Sequence, residues 1–251
     1  MNGKIESMQI NDITCFVYLP AGIEIGKKYP AVYALSGGES VAELEEIMQI
    51  VEAAVTEGIC QPFLVVTFAD EKRQFDFSPW PADAVFRSEA DFPGKADQTL
   101  RWLRDVLKTK VEQCYPALTD PEHNAILGYS LAGLMAFWTL YQTDVFAAAA
   151  CCSGSLWYEG WLDYMKTHQI RANSRLYLSL GRGEEKTRSQ RMASVGEVTR
   201  QSAQMLAADS RITATALEWH EGGHFKEIPN RLAQGLIWLG SAEFSLCLCR
   251  Q

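Results

Sequence analysis

The chain has 251 residues, of which 47% are hydrophobic and 22% charged, an ordinary composition for a globular protein with a full apolar core. Its formal net charge of −8 argues against a nucleic-acid-binding protein, which needs a basic face. No run of about 18 apolar residues and no basic-then-apolar N-terminal segment occurs, so we expect a cytoplasmic protein without a membrane span. For a chain of this length we expect a single domain, 1–251.

The first part of the chain combines short apolar runs with one helical pattern. Residues 5–19 predict two strands of an antiparallel pair, and residues 31–35 and 63–68 predict buried strands. Apolar residues at helical spacing predict a helix from Val41 to Gly58. Residues 69–98 show no period and are rich in proline, which indicates a long loop of the kind that often covers or walls a site.

The rest of the chain alternates strands and helices. The predicted elements are helix 96–114, strand 125–127, helix 131–141, strand 146–152, a loop with a short helix in 153–174, strand 176–180, helix 189–208, strand 212–217 and helix 229–239. This alternation predicts an α/β fold with a mostly parallel central sheet and helices on both faces. The two early strands would form its antiparallel N-terminal edge.

The most informative motif surrounds Ser130. Gly128 stands two positions before this serine and Ala132 two positions after it, between a short apolar run and a helix. This is the layout of a nucleophile elbow, whose turn is so tight that both positions must be small. Such a turn raises the hydroxyl above the sheet edge at a helix N-terminus, where free N–H groups stabilise negative charge. The alternative is a serine that caps a buried helix.

Acid candidates follow strand 176–180. The active site of an open α/β sheet lies beyond the carboxyl ends of its strands, and here the chain continues with Gly181 and the adjacent Glu184 and Glu185. A carboxylate at this place would orient a histidine base and stabilise its charged form. Both glutamates could instead be solvated residues of a loop or a first helical turn.

His224 is the candidate base. It follows strand 212–217 and the glycines at 222–223, which free the loop to arch back over the sheet edge. A surface residue or helix cap is the alternative. Of the other histidines, His123 precedes strand 125–127, at the end of that strand away from the expected site. His168 ends a predicted helix, and His220 is still close to strand 212–217.

The order Ser130, Glu184, His224 along the chain is that of α/β-hydrolases. In such a site the histidine takes the serine proton and the serine oxygen attacks an ester carbonyl. The resulting oxyanion needs N–H donors. We expect one donor from Leu131, which follows the nucleophile, and a second from the glycine-rich loop 36–39, unless that loop is merely a tight turn.

These residues give the chain a resemblance to the putative esterase (esterase D-like) family of the α/β-hydrolase superfamily. The family includes S-formylglutathione hydrolases, feruloyl esterases and enterochelin-type siderophore esterases. The resemblance covers about residues 10–240 and rests on Gly-Tyr-Ser-Leu-Ala-Gly at 128–133, Ser-Gly-Ser-Leu-Trp at 153–157, Phe-Ser-Pro-Trp-Pro at 77–81 and Gly-Gly-His at 222–224.

The resemblance implies further roles. The family's acid usually stands three residues after the glycine that ends its strand, which favours Glu184 over Glu185. The second oxyanion donor would lie near Gly38. This chain departs from the family in two ways: an alanine replaces the second glycine of the elbow, and Ser36 stands where many members have aspartate or histidine.

Aromatic and basic residues supply the substrate clues. Trp80 and Trp157 could form aromatic walls for an aryl or apolar acyl group, or could pack their loops down together with Tyr158 and Trp161. A basic cluster that could attract an anionic substrate follows strand 176–180, and its members are Arg182, Lys186, Arg188 and Arg191.

We therefore expect a serine carboxylesterase that hydrolyses a small-molecule ester, small or aryl, through an acyl-enzyme. The alternatives are a siderophore (trilactone) esterase with the same residues and a non-catalytic α/β-hydrolase scaffold used for binding. No cofactor is implied. The seven cysteines predict reduced thiols, and neither the 151–152 pair nor the 247 and 249 pair has zinc-ligand spacing, so we expect no metal.

Overall fold

The structure, a computed structural model, describes residues 1–36, 40–69 and 76–241. Its strands are β1 (Lys4–Ile10), β2 (Ile13–Leu19), β3 (Ala31–Ala34), β4 (Leu64–Ala69), β5 (Pro81–Ala82), β6 (Phe92–Pro93), β7 (Asn124–Tyr129), β8 (Ala148–Cys152), β9 (Ser174–Gly181) and β10 (Ile212–His220). Its α-helices are α1 (Val41–Thr56), α2 (Ala96–Trp102), α3 (Thr109–Cys114), α4 (Ser130–Gln142), α5 (Trp161–Thr167), α6 (Gln190–Ala193), α7 (Val195–Ala208) and α8 (Ile228–Leu239).

An eight-stranded sheet has the order β1-β2-β4-β3-β7-β8-β9-β10. Strand β2 pairs antiparallel with both β1 and β4. The remaining pairings of this sheet, β4–β3, β3–β7, β7–β8, β8–β9 and β9–β10, are all parallel. The predicted mostly parallel sheet with an antiparallel N-terminal edge is therefore confirmed. The carboxyl ends of β7, β9 and β10 all reach the same edge of the sheet, which is where the predicted site residues follow.

Apolar side chains bury both faces of the sheet. In β3, Tyr33 belongs to the core cluster that contains α4 and the helices at 96–114, whereas Val32 and Ala34 belong to the cluster that contains α1 and α8. This alternation follows from the two-residue side-chain period of a strand. Helices therefore cover both faces, as predicted, and the sheet edge that carries the site residues is held between two packed layers.

Some predicted elements differ in their bounds. The predicted helix 189–208 is two helices separated at Ser194, where the Ser194 hydroxyl donates to the carbonyl of Arg191 and competes with the helical pattern. The predicted strand 212–217 continues to His220, because β10 pairs with β9 as far as Gly181. The predicted strand 146–152 begins at residue 148.

Two further segments refine the predictions. The predicted helix 96–114 is continuous in space but contains a π-helical turn at Leu103–Lys108 between α2 and α3. The predicted loop 69–98 contains the short β5–β6 hairpin, and its residues 70–75 lie outside the described part of the chain. Within the described ranges, no helix combines the length and apolarity that a bilayer crossing requires.

Candidate active site

Ser130 occupies a strained turn between β7 and α4. Its φ of 57° lies in the left-handed region, which residues other than glycine rarely adopt. A Cβ at Gly128 would stand 2.2 Å from the carbonyl oxygen of Ala132, so the turn closes only around a glycine. The Ser155 N–H donates to the Ser130 carbonyl at 2.9 Å and holds the turn from the far side.

The turn predicts a large cost for a methyl group at Gly128. We expect Gly128→Ala to lower the free energy of unfolding by about 2 kcal/mol or more, and the Tm by roughly 4–8 °C, because the added carbon overlaps a backbone oxygen that cannot move alone. Thermal unfolding measures this loss. Adding Ala132→Gly should give no rescue, since the clash is with backbone atoms of residue 132; full rescue would contradict the interpretation.

The three side chains predicted as nucleophile, base and acid lie in one hydrogen-bonded chain. His224 Nε2 lies 3.0 Å from Ser130 Oγ, and His224 Nδ1 lies 2.7 Å from Glu184 Oε2. Residues 94 and 40 positions apart in the sequence are thus brought together at the sheet edge. With Nδ1 donating its proton to the carboxylate, Nε2 is left as an acceptor for the serine hydroxyl.

The Glu184 carboxylate is enclosed and held ionised. Its side chain is only 5% exposed, and its Oε1 accepts from the Gly181 N–H at 2.8 Å and from Arg231 Nη1 at 2.9 Å. Burial by itself would raise the pKa of Glu184, but the hydrogen bonds from His224 and from the Gly181 N–H lower it below its ordinary value. A charged carboxylate therefore faces the imidazole.

Glu185, the other acid candidate, points to a different part of the molecule. Its two carboxylate oxygens accept from the Arg200 guanidinium at 3.1 and 3.2 Å. The glycine at position 196 leaves room for this side chain, because a Cβ there would stand 1.8 Å from Glu185 Oε2. The structure thus brings Glu184, and not Glu185, to His224.

Arg231 is a site residue that the sequence analysis missed. It lies on α8, is fully buried, and donates from Nη1 to Glu184 as well as to Ser153 Oγ at 2.9 Å and Tyr129 Oη at 3.2 Å. A signal was present, because position 231 falls on the apolar face of the predicted helix 229–239 together with Leu232. A charge at such a position requires a buried partner.

The oxyanion donors were predicted at Leu131 and Gly38. Leu131 is the second residue of α4, and the first N–H groups of a helix have no partner within it. Gly38 lies outside the described residues. The preceding Ser36, where the chain departs from the family, accepts from the Tyr129 N–H at 2.8 Å, so its hydroxyl links that loop to the elbow strand.

A cavity of about 290 Å³ opens onto Ser130 and His224. Apolar side chains form much of its wall, and they belong to Trp157, Met192, Val195 and Phe225. Phe225 is 86% exposed, so it stands at the mouth as a large apolar surface. The Ser155 hydroxyl, which also lines the cavity, lies 3.3 Å from Ser130 Oγ. The site therefore offers an apolar wall beside the serine.

The other predicted substrate residues are distributed differently. Trp80 packs in an aromatic cluster against Tyr164, with ring centroids 4.9 Å apart, and its Nε1 donates to the Glu159 carbonyl at 2.9 Å. Trp80 thus holds the 76–95 loop against α5. Tyr158, whose hydroxyl donates to the Trp80 carbonyl, and Trp161, whose ring stacks on that of Trp80, contribute to the same packing. Trp157 lines the cavity wall.

The predicted basic cluster is likewise divided. Lys186 lines the cavity. Arg182 forms an exposed ion pair with Glu221 at 3.3 Å, and Arg188 is exposed. The Arg191 guanidinium lies over the Trp157 ring, 5.4 Å from its centroid, and donates to the Asp83 carbonyl.

Comparison with known proteins identifies the family. The profile of the family described as Putative esterase matches residues 6–232. The chain belongs to this family. The members are esterases, which places the chain among hydrolases that act on ester bonds, and the resemblance noted in the sequence is confirmed.

Individual relatives are distant. The uncharacterized protein YbbA of Bacillus subtilis (strain 168) is 22% identical over 196 residues, which are 76% of this chain and 77% of YbbA. The siderophore hydrolase EstA of Aspergillus nidulans has a TM-score of 0.71 at 20% identity over 95% of this chain and 94% of its own. The ferulic acid esterase AmCE1/Fae1A of Anaeromyces mucronatus has a TM-score of 0.69 at 15% identity over 97% of this chain and 91% of its own. These likenesses confirm the α/β-hydrolase fold.

Proposed function

We propose that this esterase is a serine carboxylesterase that uses Ser130 as nucleophile, His224 as base and Glu184 as acid. One observation carries the proposal: an unbroken hydrogen-bond chain runs from a buried carboxylate through an imidazole to a hydroxyl at a cavity. A serine that merely caps a helix needs neither the imidazole nor the strained φ. A binding scaffold likewise has no use for a buried, ionised carboxylate behind the histidine.

The proposed reaction has two halves. His224 Nε2 takes the Ser130 proton while Oγ attacks the ester carbonyl carbon, and the same proton then passes to the departing alcohol. The acyl-enzyme is hydrolysed when His224 takes a proton from water, whose oxygen attacks the acyl carbon, and returns that proton to Ser130 as the acid leaves. Glu184 keeps the imidazole in the required tautomer and stabilises its cationic form.

The tetrahedral oxyanion of each half would be stabilised by backbone donors. The Leu131 N–H lies at the N-terminus of α4, beside the nucleophile, where the helix dipole also favours negative charge. The second donor belongs to the predicted glycine-rich loop near Gly38. A donor of this kind contributes roughly 3 kcal/mol to lowering the barrier.

A fluorophosphonate probe tests the proposal most directly. An activated serine with a histidine base should be labelled stoichiometrically, and peptide mass mapping should place the adduct on Ser130. Heat-unfolded protein is the control, because it keeps the serine but loses the contact with His224. Folded protein that stays unlabelled would instead favour the binding scaffold.

The cavity favours a small or aryl ester as substrate. Its volume of about 290 Å³ is at the lower end for ligand pockets, and the ring of Trp157 offers an apolar surface beside the serine. We expect turnover of short nitrophenyl esters and methyl esters of aryl acids, and at least tenfold lower kcat/KM for a ferric catecholate trilactone. A spectrophotometric substrate panel measures this ratio, and preference for the trilactone would support the siderophore-esterase alternative.

A further inference from the structure

Arg231 connects the acid of the site to the loop that carries the base. Its Nη1 donates to Glu184 Oε1 at 2.9 Å, while its Nη2 donates to the carbonyls of Glu221 at 3.2 Å and Gly223 at 2.9 Å. One guanidinium therefore contacts both the carboxylate and the backbone directly before His224. Arginine suits this task, because its planar fork presents several donors in a fixed geometry.

The base loop is held by side chains from other elements. Besides the two carbonyls bound by Arg231, the carbonyl of His224 itself accepts from Tyr129 Oη at 2.5 Å. Tyr129 Oη in turn accepts from Arg231 Nη1 at 3.2 Å. Side chains thus constrain three of the four carbonyls of the 221–224 backbone, which contains two glycines, and the fourth, that of Gly222, accepts from the Gly183 N–H at 2.8 Å.

The electrostatic arrangement also depends on Arg231. Among the described residues its ion-pair partner is Glu184, at 2.9 Å, and the pair is almost completely shielded, with side chains 1% and 5% exposed. A buried cation and a buried carboxylate each cost much in desolvation, so each stabilises the presence of the other. The geometry therefore joins a cation, a carboxylate, an imidazole and a hydroxyl in sequence.

We propose that Arg231 is a positioning residue of this active site, which fixes Glu184 and the 221–224 loop as one unit and so sets the contact of His224 with Ser130. The inference rests on the proposed function. Arg231 is not among the described residues that line the cavity, and it acts through the Glu184 carboxylate and the 221–224 loop that it holds. Displacement of a catalytic group by about 1 Å lowers turnover about 100-fold, which is the scale of effect to be expected.

The alternative is that Arg231 only stabilises the core. A second buried arginine supplies the matched control, because Arg175 donates from Nη2 to the Leu239 carbonyl at 3.0 Å and lies over the Trp238 ring, 5.2 Å from its centroid. Arg175 is the second residue of β9 and lies at the end of that strand opposite to the site. Its loss removes a buried hydrogen bond and a cation–π contact of an arginine and leaves the hydrogen-bond chain of the site alone.

The experiment compares kcat, KM and Tm for Arg231→Met, Arg231→Lys and Arg175→Met. We expect Arg231→Met to lower kcat about 100-fold with KM changed less than about threefold, since transition-state positioning is lost and substrate contacts are not. Arg231→Lys, which keeps the charge near Glu184 but not the fork, should recover part of this loss. Arg175→Met should lower Tm with kcat within about threefold of the wild type.

A double-mutant cycle with Glu184 separates positioning from stability. If Arg231 acts through the acid and the base loop, adding Arg231→Met to Glu184→Gln should lower kcat/KM less than about tenfold further. Independent, multiplying effects would overturn the inference, as would an Arg231→Met enzyme with wild-type kcat and a lowered Tm. Should Arg231→Met fail to fold, the same comparison with Arg231→Lys decides.

Failure of this inference is distinguishable from failure of the proposed function. The proposed function requires that turnover depend on Ser130, whatever Arg231 does. Turnover that depends on Ser130 but is unaffected at Arg231 overturns the positioning role alone, whereas turnover that survives Ser130→Ala overturns the serine mechanism.

Discussion

Ser130→Ala should lower kcat by about 10⁵-fold or more, because removal of the proposed nucleophile leaves only binding and oxyanion stabilisation to assist attack by water. The substitution removes one oxygen and keeps the backbone, so the free energy of unfolding should change little. Purified protein assayed with a short nitrophenyl ester measures the loss. A folded Ser130→Ala enzyme with appreciable turnover would falsify the serine mechanism.

Two comparisons sharpen this result. Ser155→Ala removes the hydroxyl 3.3 Å from Ser130 Oγ, while its backbone N–H still holds the turn, so kcat should stay within about tenfold of the wild type. The double variant Ser130→Ala/His224→Ala should be no slower than Ser130→Ala alone, because residues that act as a unit are strongly non-additive. A further large loss in the double variant would show that His224 works separately from the serine.

The elbow was predictable because its determinants are local. Gly128, Ser130 and Ala132 lie within five positions, and the steric requirement that a strand turn directly into a helix acts on those positions alone. The mostly parallel sheet was predictable for a related reason, since alternation of strand and helix patterns constrains the topology. The placement of His224 followed from strand direction, which brings successive carboxyl ends to one edge.

Features that depend on distant contacts were not predictable in the same way. Glu184 and Glu185 are neighbours with the same chemistry, and only tertiary packing distinguishes them. The space at Gly196 and the charge of Arg200, both on α7, hold the Glu185 side chain away from His224. The hydrogen-bond partners of the Arg231 side chain are at least eight positions away in the sequence, so local patterns do not reveal them. Trp80 lies in a long loop without period, where sequence offers no guide to side-chain direction.

Glu184→Gln should lower kcat about 10³–10⁴-fold, whereas Glu185→Gln should leave it within about threefold of the wild type. A neutral amide no longer compensates the cationic imidazole, and its NH₂ can oppose the Nδ1–H donor, which favours the wrong tautomer. The neighbouring substitution is isosteric and removes only a partly exposed pair with Arg200. Parallel measurement of kcat for the two variants therefore isolates the role of a single carboxylate.

The same pair of variants gives a pH-dependent test of stability. The folded-state pKa of Glu184 is lowered, because hydrogen bonds to its charged form outweigh the effect of burial. Its stabilisation is therefore present above the unfolded-state pKa of about 4.3 and is lost as pH falls through the lower folded-state value. The difference in unfolding free energy between wild type and Glu184→Gln should narrow below about pH 4.3, as denaturant unfolding at several pH values would measure.

Activity and stability together identify the acid. Residue 184 should combine a large loss of kcat with a stability difference that shrinks in acid, since one buried charge supports both the imidazole and the contact with Arg231. Residue 185, whose carboxylate is turned to Arg200, should show no such loss of kcat. If Glu185→Gln instead proved the slower enzyme, the hydrogen-bond chain through Glu184 would not be the catalytic one. The acid would then be Glu185, which lies against α7.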